Sequence, residues 1–298
     1  LGSTSKTLVG GSLANMITSS AAAVLDPYLA QVLKTDKPVI GLEFNSELPN
    51  RGSVDLRFNL SPLKDAEQHT QGVAIVLDDL TERKHLEAQR SLFERMVSPA
   101  VIEYLDPNKL QLGGQKQEIT TLFADIRGFT SYSETVSPEE LVKVLNMHLA
   151  AAAEAVLFED GTIDKFLGDA VMAWFNAPVP QKDHTLRAVR AALSIRQGLD
   201  ELHRENPELT KLSFGVGIHV GDAVLGLVGT EKRLDYTAIG DSVNTAKRIQ
   251  ENSEAGQILI SQQALAHVAD TVVVEPVDPI HAKGKREPLN VYKVLRLR

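Results

Sequence analysis

A Gly168-Asp169 step between two short apolar runs, Thr162–Leu167 and Ala170–Phe175, constrains this chain more than any other feature. Two strand-forming runs joined by two such residues read as a tight hairpin. A long helical stretch flanks the hairpin on each side. Before it, Ser137-Pro138-Glu139-Glu140 combines a capping Ser, a Pro in the first turn and a Glu three residues on, opening a helix to about Phe158. After it, Asp183 caps a helix to about Arg204. Strand-like runs Ile119–Ile126 and Leu212–Val220 enclose the set, so the order is β-α-β-β-α-β.

That order predicts an α+β, ferredoxin-like βαββαβ domain with helices on one sheet face and added strands beyond it. Gly221-Asp222 reads as another hairpin turn, with Ala223–Val228 as the returning strand. Beyond these come strand Leu234–Ile239, helix Asp241–Glu251, strand Gln257–Ile260, helix Gln262–Val268 and three closing strands.

Residues 1–80 read as a smaller α+β piece. A helix over Asp26–Lys34 precedes strands Val39–Phe44, Ser53–Leu60 and Gly72–Asp78. Pro49-Asn50-Arg51-Gly52 and Lys64-Asp65-Ala66-Glu67 are the turns between them. From Asp79 to about Leu105 the pattern is helical and charged, with Leu86 and Phe93 seven apart. That spacing suits pairing across a dimer and equally a solvated surface helix. Ser98-Pro99 restarts the helix, and Asp106-Pro107-Asn108 with Gly113-Gly114 forms a boundary. The expected division is therefore 1–80, a linking helix over 81–114, and 115–298.

Composition removes several function classes. The 298 residues contain no cysteine, which excludes disulfides, thiolate nucleophiles, Cys-ligated zinc and iron–sulfur clusters. A net charge of −8 argues against a general nucleic-acid binder. No run of about 18 uninterrupted apolar residues is present, so no membrane span and a cytoplasmic setting are expected. The charge is uneven: residues 115–280 sum to −10 and the last 18 to +5. The eight His are scattered along the sequence, and His219 within a strand reads as structural. Trp174 alternates with Met172 along a strand, which reads as packing.

Two acidic residues stand at strand ends beside sharp turns. Asp125 ends the run Phe123-Ala124-Asp125-Ile126-Arg127-Gly128-Phe129-Thr130, and Asp169 sits in the hairpin turn. In this topology the first strand lies beside the third, so the two carboxylates can converge on a site for a hard divalent cation. Gly128-Phe129-Thr130 offers backbone N–H groups at a turn, which suits a phosphate. Downstream, Asn244 and Arg248 stand four apart on one helix face, an amide and a forked cation fit for a phosphoryl centre.

Together, Phe-Ala-Asp-Ile-Arg-Gly-Phe-Thr (123–130), Lys-Phe-Leu-Gly-Asp (165–169) and Tyr-Thr-Ala-Ile-Gly-Asp-Ser-Val-Asn-Thr-Ala-Lys-Arg (236–248) resemble the catalytic domain of class III nucleotidyl cyclases. The resemblance runs from about Glu118 to Val294. It implies an adenylyl cyclase converting ATP to 3′,5′-cyclic AMP and pyrophosphate, with each active site shared between two subunits of a homodimer. It implies two Mg²⁺ or Mn²⁺ ions per site, bound by Asp125, Asp169 and the carbonyl of Ile126. Gly128, Phe129 and Thr130 would cradle the β- and γ-phosphates. From the other subunit, Lys165 and Thr237 would read adenine, Asn244 would orient the ribose, Arg248 would stabilise charge at the α-phosphate, and Lys283 would pair with the terminal phosphates.

The pocket chemistry agrees with that assignment. Adenine offers N1 as acceptor and N6 as donor, complementary to a Lys donor and a hydroxyl that accepts. A guanine pocket would need an acceptor where Lys165 stands. Thr237 in place of the Asp of mammalian membrane-type enzymes resembles the class IIIb subgroup, which implies bicarbonate stimulation as a hypothesis. The alternatives are a guanylyl cyclase or a nucleotide-binding regulatory module with little turnover. The N-terminal segment resembles a partial PAS domain, carried by Leu8-Val9-Gly10-Gly11-Ser12-Leu13 and the exit Val76-Leu77-Asp78-Asp79-Leu80-Thr81-Glu82-Arg83-Lys84. A relay element and a small-molecule sensor both fit that piece, and the lack of His before His69 disfavours His-ligated haem.

Overall fold

A computed structural model of the chain describes residues 19–48, 52–96, 113–230, 233–281 and 287–298. The chain divides into two compact units, Leu1–Phe93 and Glu94–Arg298.

In the first unit, helix α1 (Ser19–Thr35) lies on a three-stranded antiparallel sheet of β1 (Val39–Leu48), β2 (Gly52–Lys64) and β3 (Thr70–Asp79), ordered β1-β2-β3. The helix begins seven residues before the expected Asp26 and continues through Pro27. Ala21, Ala22, Leu25 and Val32 supply the reason: they form one buried stripe that starts well upstream of Asp26. It packs on Val54, Leu56, Phe58 and Leu60, the alternate inward residues of β2. The β2–β3 turn is held by Asp65, whose Oδ1 accepts from the N–H groups of Glu67 and His69 at 3.0 and 2.8 Å. Helix α2 (Thr81–Met96) follows, its first turn capped by Asp79 Oδ1 accepting from Thr81 N–H at 3.0 Å. Leu86 on α2 is exposed. The segments Leu8–Leu13, Pro49–Arg51, Ser98-Pro99 and Asp106-Pro107-Asn108 lie outside the described residues.

The second unit is an α+β domain on one eight-stranded sheet. Its elements are β4 (Gly113–Arg127), α3 (Phe129–Ser133), α4 (Pro138–Phe158), β5 (Thr162–Leu167), β6 (Ala170–Phe175), α5 (His184–Glu205), β7 (Ser213–Thr230), β8 (Arg233–Ile239), α6 (Asp241–Glu251), β9 (Ile258–Ser261), α7 (Gln262–Val268), β10 (Val272–Pro276) and β11 (Val291–Leu297). The strand order is β10-β11-β9-β7-β4-β6-β5, and β8 pairs with the far half of β7. The βαββαβ core is present, with the expected capping at α4: Ser137 Oγ accepts from Glu140 N–H at 3.2 Å.

Alternation divides the core between two faces. Leu122, Ala124 and Ile126 of β4, with Val171, Ala173 and Phe175 of β6, pack under α4, α5 and α7. Ile119, Phe123, Met172 and Trp174 point to the other face, where Val243 and Ala246 of α6 cover them. Trp174 is fully buried and its Nε1–H donates to the carbonyl of Ala177 at 3.0 Å, as packing rather than ligand stacking requires. Helix α4 is long and apolar enough to cross a membrane by length and composition. Its Val144, Leu149, Ala152, Ala155 and Val156 are nevertheless buried in this core.

Two expectations are corrected. Gly221-Asp222 is not a hairpin: β7 runs straight through it, with Gly221 opposite Ile119 and Asp222 opposite Glu118. A Cβ at Gly221 would lie 3.0 Å from that of Ser242, so the glycine admits the start of α6 rather than making a turn. Gly113-Gly114 opens β4, the first described strand of the second module, paired with Leu227 and Gly226. There a Cβ on Gly226 would meet the Gly113 carbonyl at 1.9 Å, so close backbone approach explains the glycines. Among the described residues the closing segment contains two strands, not three, plus a single bridge between Ile280 and Leu289.

Candidate active site

Asp125 and Asp169 meet at one end of the sheet. Antiparallel pairing sets Asp125 opposite Ala170, and the N–H of Ile126 donates to the carbonyl of Asp169 at 3.2 Å. Both carboxylates are half-buried. Burial, then the negative charge of Asp169, raises the Asp125 carboxyl above the ordinary range, with Arg127 and Lys247 opposing and Glu251 adding to the rise. Two carboxylates that repel each other in a half-buried position form a hard oxygen donor set suited to Mg²⁺ or Mn²⁺. A different potential ligand group, Glu118, His184 and His267, stands elsewhere. Glu118 is seven residues up β4 from Asp125, about 23 Å along an extended strand.

Gly128 caps the short helix α3 with φ 78°, a left-handed backbone that favours glycine. Phe129 packs partly into the core and Thr130 is exposed. Tyr132 N–H returns to the carbonyl of Gly128 at 3.0 Å, so the turn leaves β4 immediately after the Asp125 strand end.

Lys165 is positioned by an irregularity that its sequence did not advertise. On β5, Ile163 pairs with Ala173 but Lys165 pairs with Met172, so Asp164 is one residue extra. Strict alternation would put Lys165 on the face of Ile163 and Ala173. The bulge shifts it to the partner residue, Met172, that faces α6.

The same bulge buries Asp164. Its side chain is 1 % exposed, and its Oδ2 accepts from the hydroxyl of Thr237 on β8 at 2.8 Å. Its Oδ1 has no hydrogen-bond partner, while Lys165 Nζ stands 3.7 Å away. Burial raises the Asp164 carboxyl, and the Thr237 hydroxyl and Lys165 pull it back down. Lys165 and Thr237, 72 residues apart in sequence, thus converge on one carboxylate. Asp164 was not singled out in the sequence; an acidic residue beside Lys165 in a strand otherwise buried on its inner side is the signal that was there.

Asn244 and Arg248 lie one turn apart on α6, exposed and half-buried respectively. Ser242, Val243, Thr245, Ala246, Ile249 and Gln250 turn the opposite side into the protein. The helix is fixed at both ends. Ser242 Oγ donates to the carbonyl of Asp222 at 2.6 Å, and Arg127 donates through Nη2 to the carbonyl of Gln250 and to Ser253 Oγ. Arg127, two residues after Asp125, therefore ties the last turn of α6 to the strand that carries Asp125. Between these ends, α6 rests directly on Gly217 of β7: a Cβ there would fall 2.2 Å from Gln250 N and 2.6 Å from the carbonyl of Ala246. Lys283 lies outside the described residues.

Four of the scattered His are brought into pairs by folding. His148 and His203 meet at 3.4 Å between Nε2 atoms, and the rings of His184 and His267 stand 5.8 Å apart. His219 Nδ1 and Ser261 Oγ are 2.8 Å apart in the interior, in keeping with a structural role.

The family pattern described as Adenylate and Guanylate cyclase catalytic domain matches residues 113–295, and the PAS fold pattern matches residues 1–85. Adenylate cyclase 1 of Rhizobium meliloti is 39 % identical over 184 residues, covering 60 % of this chain and 28 % of that protein. An adenylate cyclase of Anabaena cylindrica is 35 % identical over 217 residues, covering 68 % of this chain and 42 % of that one. The matched segment thus spans less than half of these relatives' length. Among solved structures, the adenylyl cyclase CyaB from P. aeruginosa superposes with a TM-score of 0.60 at 36 % identity, over 63 % of this chain and 98 % of that one. The guanylyl cyclase Cya2 superposes equally, with a TM-score of 0.60 at 38 % identity, over 63 % of this chain and 96 % of that one.

Proposed function

This chain belongs to the family of adenylate and guanylate cyclase catalytic domains, and from that premise we propose that it is an adenylyl cyclase. It converts ATP to 3′,5′-cyclic AMP and pyrophosphate as a homodimer with two shared sites. Overall similarity does not choose the base, since relatives of both specificities superpose equally well. The observation that carries the reading is the meeting of Lys165 and Thr237 at Asp164, with contacts of 3.7 and 2.8 Å. An ammonium donor beside a hydroxyl whose proton is already given away is complementary to adenine N1 and N6. Guanine would present N1–H and O6 to the same pair, donor against donor and acceptor against acceptor.

The residues divide the chemistry as follows. Asp125, Asp169 and the carbonyl of Ile126 would hold the metals; Mg²⁺ or Mn²⁺ bound there would supply Lewis-acid polarisation of the 3′-hydroxyl and neutralise triphosphate charge. Gly128, Phe129 and Thr130 seat the β- and γ-phosphates against backbone N–H groups, and Lys283 pairs with the terminal phosphates. Lys165 and Thr237 of the other subunit fix the base, and Asn244 fixes the ribose, which places the 3′-oxygen in line with the α-phosphorus. The 3′-oxygen forms a bond to the α-phosphorus as the bond to the bridging α–β oxygen breaks. The hydroxyl proton passes to Asp125 or to water, and pyrophosphate leaves with the electron pair. Arg248 donates to the charge that builds at the α-phosphate during this step. The N-terminal unit acts on this reaction as a regulatory module.

The test is incubation of purified protein with Mn²⁺ and either ATP or GTP, with the products resolved. Cyclic AMP from ATP at a rate well above that of cyclic GMP from GTP is expected. Preference for GTP, or nucleotide binding without turnover, would overturn the reading.

A further inference from the structure

Asp164 belongs to none of the roles above, yet among the described residues it is the one buried carboxylate that touches both base readers. Its position follows from the extra residue in β5, which turns Lys165 toward the face of Met172 and leaves Asp164 beneath it. One oxygen is committed to the Thr237 hydroxyl at 2.8 Å. The other has no hydrogen bond and lies 3.7 Å from Lys165 Nζ. A carboxylate with a 1 % exposed side chain and one unfilled oxygen is costly to keep, and the only gain visible around it is control of its two neighbours.

We infer that Asp164 is a positioning residue for base selection: by accepting the Thr237 proton it forces that hydroxyl to present lone pairs alone, and by facing Lys165 it holds the ammonium beside them. A free threonine hydroxyl can donate or accept and so can serve either purine. Pinned to Asp164, it accepts only, which suits the adenine amino group and repels the guanine carbonyl. Lys165 cannot change polarity, so the discriminating freedom resides in the hydroxyl. Asp164 never contacts the base; it removes the alternative that guanine would use.

This rests on the adenylyl cyclase reading, and the experiment separates the two. The purified full chain is assayed with Mn²⁺ and ATP or GTP as wild type, Asp164→Ala, Asp164→Asn, Thr237→Val and the Asp164→Ala/Thr237→Val pair, with circular dichroism and thermal melting as fold controls. Asp164→Ala is expected to lower the ratio of kcat/KM for ATP over GTP by about 10-fold or more, through KM on both nucleotides. Asp164→Asn retains an oxygen acceptor and is expected to fall between; it carries the test if the alanine variant does not fold. In the Thr237→Val background, Asp164→Ala should change the ratio by less than about 2-fold, because the hydroxyl it acts through is gone. A merely structural carboxylate would lower both activities and leave the ratio unmoved. Wild type that prefers ATP, with folded Asp164 variants that keep its full ratio, overturns this inference alone. Wild type that prefers GTP overturns the reading beneath it.

Discussion

The N–H of Ile126 donates to the carbonyl of Asp169 at 3.2 Å, and this main-chain link joins the end of β4 to the β5–β6 turn. It is why two carboxylates 44 residues apart share one corner. Neither side chain has to reach for the other; the sheet register delivers both.

That closeness has a measurable cost without metal. Asp125 is raised by burial and by Asp169, so the folded state holds its proton to higher pH than the unfolded chain does. The contribution is stabilising when Asp125 is protonated and is lost as pH rises from the unfolded value through the raised folded one. At neutral pH in chelator, Asp125→Asn is therefore expected to raise Tm. Excess Mg²⁺ or Mn²⁺ should raise Tm of wild type and not of Asp125→Asn, and the same variant should lose turnover. A metal-induced Tm shift of equal size in both proteins would remove the metal assignment.

Arg248 is half-buried on the outer side of α6, while the packing side of the helix is built from other residues. Arg248→Ala should leave the melting temperature within about 2 °C and lower kcat by about 10²–10³, the usual cost of one charge-stabilising donor. The check is kcat and KM measured separately: a change confined to KM would assign Arg248 to ground-state binding instead.

Gly217 is the point where α6 rests on β7. A methyl group there would overlap Gln250 N at 2.2 Å and the Ala246 carbonyl at 2.6 Å, both backbone and neither able to rotate away. Gly217→Ala is expected to cost about 1–3 kcal/mol by overpacking and to displace Asn244 and Arg248 together. Denaturant melts and activity of the surviving folded fraction test this. Native stability in Gly217→Ala would mean that α6 is not seated as described.

Acid sensitivity should come from the paired histidines. His148 Nδ1 lies 2.8 Å from the carbonyl of Val144, an obligate acceptor, so that nitrogen carries the proton and Nε2 faces His203 at 3.4 Å. Burial lowers the pKa of both residues, with mutual repulsion adding to the effect at His203. Their neutral forms support the fold, so stability is present above the unfolded value near 6.5 and falls as pH drops below it. The fall in Tm between pH 7 and 5.5 should be shallower in His148→Gln/His203→Gln. An unchanged slope would place the acid-labile groups elsewhere, His184 being the next, since burial lowers it too.

The likeness of Thr237 to the class IIIb pattern raises bicarbonate stimulation as a hypothesis to be tested. At fixed pH and ionic strength, added bicarbonate should raise the cyclase rate of wild type, and an unchanged rate removes the idea.

Much of this molecule was legible in its residues. The Gly168-Asp169 hairpin and the Ser137-Pro138 cap depend on contacts within a few residues, so local chemistry suffices to place them. The same reasoning misplaced Gly221-Asp222 because a Gly-Asp pair in a strand and one in a turn look alike until a helix is seen lying across it. The start of α1 was misplaced because Asp26-Pro27 resembles a helix start, while the buried stripe at Ala21 and Ala22 reaches past it.

The candidate site divides along the same line. The identities and spacing of Asp125, Asp169, Lys165, Thr237, Asn244 and Arg248 are properties of the sequence by itself, and they carry the resemblance to the family and the chemistry proposed from it. Which of them face each other was decided only in three dimensions. The one-residue bulge at Asp164 chooses the face that Lys165 occupies, and β8 brings Thr237 to the same carboxylate. No periodicity reports this, because a bulge is stabilised by the partner strand and by a residue 73 positions away, not by its own neighbours.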